Sequence, residues 1–382
     1  MTHSIFSTVF AHLNPDKKKL SDIFKPNKFD LFLIIIVNFP TIAIWISLGY
    51  QGRFKSFLSF YDCPLYFRGI LERNVSLEPD LYLKLFNKSR DSVIPPLPGF
   101  RFVTNMFYYA FLKKLVLSES CLVLVCSSLS VYLFKRLIVV FNATKNPKFS
   151  SLLFCFIPIR AVLFRSVPSY DTFFINCIFL VMIFEKTGHN HLTLAMCIIA
   201  SLIRFEGILM ALSILLFSLI RMNFGDVLLY IVYLIGYIIA IMVKIPNWKT
   251  YVIPFGHDGS FGFSLFVHFR RIKNTISNLR AIHSLLEHYL ILFIGIVNLF
   301  SISFQLFTIS ILWFCFVLLI DSLDPFRYSL IISILSIIGY DSLMQQKYCR
   351  IVVLIISPIL IILSIYYSQG QIMSNQKLIQ LI

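Results

Sequence analysis

The chain has 382 residues, 58% of them hydrophobic and 14% charged, and a formal net charge of +16. A water-soluble domain carries roughly a quarter charged residues, so a soluble fold is excluded. The Lys and Arg residues gather in patches between apolar runs and form no single stripe or RNA-binding motif; this speaks against a nucleic-acid partner and fits positive-inside anchoring beside anionic headgroups.

Residues 1–29 hold Lys17, Lys18, Lys19, Lys25 and Lys28 without a short apolar core and small-residue cleavage site, so they read as a cytosolic N-terminal segment and not as a cleaved signal peptide. Residues 30–382 read as one integral membrane domain of about nine or ten spans, an all-α polytopic helical bundle. The first span, over about 30–50, delivers the chain to the far side. From 51 to about 114 runs the longest polar stretch, a luminal loop on this orientation, with the N-glycosylation sequons Asn74-Val75-Ser76 and Asn87-Lys88-Ser89. A third sequon, Asn142-Ala143-Thr144, lies in a basic loop assigned to the cytosol and is expected to be unmodified.

Further spans are expected at about 121–140, 149–164 and 172–184, with Lys135, Arg136, Lys145 and Lys148 on the cytosolic side of the first two and the link 165–171 facing the lumen. The apolar stretch 191–221 is interrupted by Arg204-Phe205-Glu206-Gly207, and charges at membrane depth need partners or a cavity, so a bent or re-entrant helix pair is expected. A span at about 227–242 leads to a second polar region, 244–288, followed by spans at about 289–309, 313–337 and 351–367. Of the eight cysteines, Cys121, Cys126, Cys155, Cys177, Cys197 and Cys315 fall in apolar runs, where a thiol behaves as a small hydrophobe; Cys63 is polar-flanked. No disulfide framework or metal-ligand spacing is evident.

Polar groups at span ends are the candidates for chemistry. In Phe60-Tyr61-Asp62-Cys63-Pro64 a carboxylate stands among aromatic rings, where desolvation would suit Asp62 to accept a proton from a sugar hydroxyl; a solvated loop acid is the alternative. Ile94-Pro95-Pro96-Leu97-Pro98-Gly99-Phe100 fixes the backbone where the chain returns to the membrane. Arg165-Ser166-Val167-Pro168-Ser169-Tyr170-Asp171 and the Arg204/Glu206 pair bring an arginine able to neutralise a phosphate, and acids able to hold it, to the ends of adjacent spans; a structural ion pair reads equally well. Gly256-His257-Asp258-Gly259 precedes His268, Arg270, Arg271 and Lys273, which suit a phosphate at the membrane face or a snorkelling interfacial helix, and too few ligands stand there for a metal. Arg327-Tyr328 follows Asp324-Pro325-Phe326 between or inside the last apolar runs.

The order of these segments resembles the PIG-V family, GPI mannosyltransferase 2, a group of GT-C-type membrane glycosyltransferases. The likeness runs from about Ser56 to Tyr328, through Tyr61-Asp62, Pro98-Gly99-Phe100, the apolar run ending in Pro158, Ser169-Tyr170-Asp171, Arg204-Phe205-Glu206-Gly207, Phe261-Gly262-Phe263 and Arg327-Tyr328. The chain departs from the family in having Tyr61 for the usual Trp, Asp171 for the usual Glu, and Phe205 and Glu206 for small or polar residues. The resemblance implies a GT-C-like fold in the endoplasmic reticulum membrane and transfer of mannose from dolichyl-phosphate mannose, the donor substrate, to a GPI precursor as its second, α1,6-linked mannose. It implies Asp62 as general base, Arg204, Arg327 and Arg270 at the departing phosphate, Asp171 and Glu206 positioning sugar or arginine, and in some lineages a small membrane partner subunit. The rivals are another GT-C enzyme using a polyprenyl-phosphate sugar, a non-catalytic GPI transamidase subunit, and a transporter; a transporter should show two matching halves, and none are visible.

Overall fold

The structure, a computed structural model, describes residues 19–60, 98–244, 276–319 and 325–381. Asp62, Cys63, Asn74, Asn87, Arg270 and the glycine-rich turn at 256–263 lie outside the described residues. Every regular element within them is helical: α1 (Lys28–Tyr50), α2 (Pro98–Ala110), α3 (Leu115–Val140), α4 (Pro147–Phe154), α5 (Ile159–Arg165), α6 (Tyr170–Lys186), α7 (Asn190–Ile203), α8 (Ile208–Ile220), α9 (Phe224–Lys244), α10 (Ile276–Ile302), α11 (Phe304–Leu319), α12 (Leu330–Gly339) and α13 (Lys347–Leu381). Short turns of helix at Leu20–Ile23, Phe54–Ser59, Pro325–Tyr328 and Asp341–Met344 join them.

Three helices, α1, α3 and the Lys347–Ser374 part of α13, are long and apolar enough to cross a membrane, and α4 with α5 makes a fourth if that bent pair is one span. Shorter apolar helical stretches, of 10–17 residues, cover Asn190–Ile203, Phe205–Ile220, Phe224–Ala240, Leu286–Ile302, Phe304–Leu319 and Leu330–Gly339. Outward side chains such as Leu31, Ile35 and Ile46 on α1, and Ile355, Ile359 and Ile362 on α13, are exposed, an apolar exterior suited to a hydrocarbon solvent.

The span expected over 149–164 is two helices meeting at 68°. Pro158 supplies the reason, because it has no N–H to donate and disfavours helical geometry at Ile157. Within the span expected over 313–337, the described residues form α11 as far as Leu319, the four-residue turn Pro325–Tyr328 and, after a break at Ser329, α12 from Leu330. All ten residues of α12 are buried, and ten residues rise only about 15 Å, half of the ~30 Å hydrocarbon core. The stretch expected as one span over 289–309 breaks at Ser303 between α10 and α11. The polar loop expected to continue to 114 ends sooner, since α2 already packs there. The interruption at Arg204 does divide two helices, α7 and α8, through a single 3₁₀ turn at Phe205–Gly207.

α1 opens with a capping box: the Asn27 side chain accepts from the Asp30 N–H at 3.1 Å, and Asp30 accepts from the Asn27 N–H at 2.7 Å. Lys135 Nζ and Arg136 Nη2, from the last turns of α3, each lie 2.5 Å from the same Asp30 carboxylate. Phe24 meets Phe184 near the end of α6, Glu185 pairs with Arg221 at 2.6 Å, and Asp341 accepts from Thr144 and Ser150. These contacts define one end of the bundle, the lysine end.

The course of the chain follows. α7 starts at the lysine end, where Asn190 bonds Asp226, and α8 returns to it at Arg221. α9 then runs alongside α7, with Tyr233 and Tyr237 both reaching Ser201, at 2.8 Å each. At the opposite end Trp45 donates to the Ser166 carbonyl at 2.9 Å and His288 meets Ser329 at 2.8 Å. The broken pair thus returns the chain to the side it came from, and the described helices flanking 61–97 and 245–275 all present those ends opposite the lysines.

Candidate functional site

Three interruptions of apolar helix come together at the end opposite the lysines. The first is the start of α6, where Ser169 is the N-cap: its Oγ accepts from the Asp171 N–H at 3.1 Å and donates to Asp171 Oδ2 at 2.5 Å. The second is the turn between α7 and α8, whose extended Arg204 backbone turns the side chain out of the helical register. The third is Pro325–Tyr328, the turn ahead of α12.

Asp171 holds both arginines. Arg204 Nη1 donates to Asp171 Oδ1, while its Nε and Nη2 reach Glu206 at 3.1 and 2.5 Å. Arg327 approaches Asp171 Oδ2 from the other side, with Nε and Nη2 both at 3.0 Å. All four residues are buried, from 2% exposed at Asp171 to 8% at Arg327. The charges balance, and burying them is tolerable only because each is paired and hydrogen-bonded.

Aromatic rings enclose the cluster. The Arg204 guanidinium lies 5.1 Å from Tyr170, 5.2 Å from Phe174 and 5.1 Å from Tyr328, and Arg327 lies 4.8 Å from Tyr170 and 5.4 Å from Phe164. Tyr170 therefore serves both cations. Asp171, Arg204, Arg327, Tyr328, Phe174 and Trp313 line a narrow crevice.

The sequence-nominated motifs meet here. A Cβ on Gly99 would stand 2.8 Å from the Leu202 carbonyl carbon, so the Pro98-Gly99-Phe100 turn abuts the residues preceding Arg204, and Phe100 sits 6.3 Å from Tyr170. A Cβ on Gly207 would strike the backbone of Ala200 and Ser201. Arg165 stands apart from the acids: its guanidinium donates to the carbonyls of Phe154 and Cys155, which the break between α4 and α5 leaves available, and to that of Ala161 one turn back in α5. Asp171, Arg204, Glu206 and Arg327 are thus one site; Asp62 and Arg270 lie outside the described residues. Phe174 and Trp313 escaped sequence reading because aromatic residues inside apolar runs carry no signal of their own.

The described residues define an all-helical fold, with several helices able to cross a membrane, organised around a buried Asp–Arg–Glu–Arg cluster. No family model, curated protein or solved structure matches the chain.

Proposed function

We propose that this protein is a GT-C-type mannosyltransferase of the endoplasmic reticulum membrane that moves mannose from dolichyl-phosphate mannose to a GPI precursor, with its N-terminus cytosolic. One observation carries the reading: four motifs far apart in sequence, around Gly99, Asp171, Arg204 and Arg327, converge at one end of an apolar bundle. The segments that hold Asp62 and Arg270 join the bundle at that same end. A lipid-anchored sugar phosphate presents its headgroup at such a place.

In this reading Asp62 takes the proton of the acceptor 6-hydroxyl, the freed oxygen bonds to the anomeric carbon from the face opposite the phosphate, and the bond between that carbon and the phosphate oxygen breaks. Dolichyl phosphate leaves with one further negative charge. Arg204 and Arg327 are the cations available to meet it, with Arg270 as a third, while Asp171 and Glu206 hold the guanidinium groups in place beforehand. Microsomes with the wild-type chain should transfer labelled mannose from the donor to a one-mannose GPI lipid. Asp62→Ala should lose that transfer; full activity in the variant would remove the general-base role.

A further inference from the structure

At the lysine end one carboxylate serves two buried cations: Asp30 takes Lys135 on Oδ1 and Arg136 on Oδ2, each at 2.5 Å. The cluster around Asp171 sets two acids against two arginines, whereas here a positive charge is left over. Asn27 Oδ1, 3.1 Å from Lys135, and the Lys25 carbonyl, 2.7 Å from Arg136, supply hydrogen bonds but no charge. Arg136 Nε is buried without an acceptor among the described residues. Lys25, Lys28 and Lys148 stand exposed around this core, and none has an acidic partner among the described residues. Lys148, in the first turn of α4, holds Nζ 5.6 Å from the centre of the Phe29 ring, which Lys135 Nζ approaches to 5.2 Å. Five cations thus gather about the Asp30 carboxylate, and an anion on their common face relieves the repulsion among them.

What adjoins these charges points to a lipid. Lys28 is the first residue of α1, and Leu31, Phe32, Ile35 and Phe39 continue its face of the helix as an exposed apolar track. Phe29 joins the two regions, its ring centre 5.6 Å from that of Phe32. Cations at a helix end above an apolar track match a phospholipid, with its phosphate among the lysines and a chain along α1. A phosphodiester carries a single negative charge, while a phosphomonoester carries about −1.5 to −2 at neutral pH. The uncompensated cations favour the monoester.

We propose that the surface formed by Lys28, Phe29 and Lys148 binds one phospholipid with a phosphomonoester headgroup, the phosphate meeting the two lysines and an acyl chain following Phe32 and Ile35. This lipid site stands whether or not the chain transfers mannose. The full-length protein in detergent, titrated with dioleoyl phosphatidic acid, should retain one lipid at saturation in native mass spectrometry, and should hold it several-fold more tightly than dioleoyl phosphatidylserine. Lys28→Gln and Lys148→Gln should each weaken retention about fivefold, and together about twenty-fivefold, with the melting temperature unchanged. Lys113→Gln with Lys114→Gln, exposed at the opposite end, should leave it as it is. A large excess of glycerol 3-phosphate, the same headgroup without chains, should not compete. Equal retention of the two lipids, a rising number of bound lipids with no saturation at one, or full affinity in the double variant would overturn the proposal in favour of diffuse anionic anchoring. Displacement by glycerol 3-phosphate would overturn the lipid as occupant and leave a site for soluble phosphate.

Discussion

Arg327 meets Asp171 through two of its nitrogens at 3.0 Å, across a sequence separation of 156 residues, and does so on the carboxylate oxygen that Arg204 leaves open. One carboxylate therefore joins the start of α6 to the turns before α8 and α12, and the three interruptions are held in one place by a single negative charge.

Removing that charge leaves Arg204 with Glu206 and takes from Arg327 its bond to Asp171. Asp171→Asn should destabilise the protein by about 3–5 kcal/mol, the range for one broken partner of a buried ion pair. Asp171→Asn combined with Arg327→Met restores a neutral Arg204–Glu206 pair, so the double variant should be more stable than the sum of the single changes requires, by about 1–3 kcal/mol. Thermal denaturation of the four proteins in the same detergent measures the coupling; additive losses would mean that Asp171 and Arg327 do not act together.

Gly207 faces the backbone of Ala200 and Ser201, with no flexible side chain to move aside. Gly207→Ala should open the turn and cost about 1–3 kcal/mol or more, as overpacking does. On the proposed function it should also lower mannosyl transfer by displacing Arg204. A stable variant with normal activity would show that the turn tolerates rearrangement.

The contact between α10 and α12 is equally close, since a Cβ on Gly339 would overlap the backbone of Gly295 and one on Gly295 would stand 2.6 Å from Ser336 Cβ. Small residues at a membrane helix crossing let backbones approach. Gly339→Val should separate the two helices and lower the melting temperature, again by about 1–3 kcal/mol, while Gly236→Ala, with open space around it, should leave the melting temperature unchanged.

Much of the site was legible in the sequence because charge inside apolar runs is conspicuous: Arg204, Glu206 and Arg327 stand out for that reason, and Asp171 stands out as the acid of the polar link 165–171. Their union was not legible, because it depends on three chain reversals whose geometry comes from packing. Span lengths were misjudged where a proline and short breaks divide apolar runs, at Pro158, Ser303 and Ser329. Starting the second expected span at Cys121 also left Glu119 outside it, whereas the helix begins at Leu115 and buries that acid. The side on which α9 begins, which the Arg204 interruption left open in the sequence, follows from the Arg221–Glu185 pair.

Asn142 offers a test of orientation. It is exposed, with φ +49°, two residues before the Thr144 hydroxyl that bonds Asp341, at the lysine end of the bundle. Asn74 and Asn87 belong to the segment joined at the other end. Glycan mapping of the protein from membranes should find sugar at Asn74 or Asn87 and none at Asn142; a glycan at Asn142 would reverse the orientation.

The most direct test of the central claim is the profile of GPI-precursor lipids after depletion of this protein, with rescue by the wild type and by Arg204→Gln. Mannosyl transfer at the Asp171–Arg204–Arg327 cluster predicts that a one-mannose intermediate accumulates and that only the wild type clears it. An unchanged profile, or full clearance by Arg204→Gln expressed at the wild-type level, would contradict it.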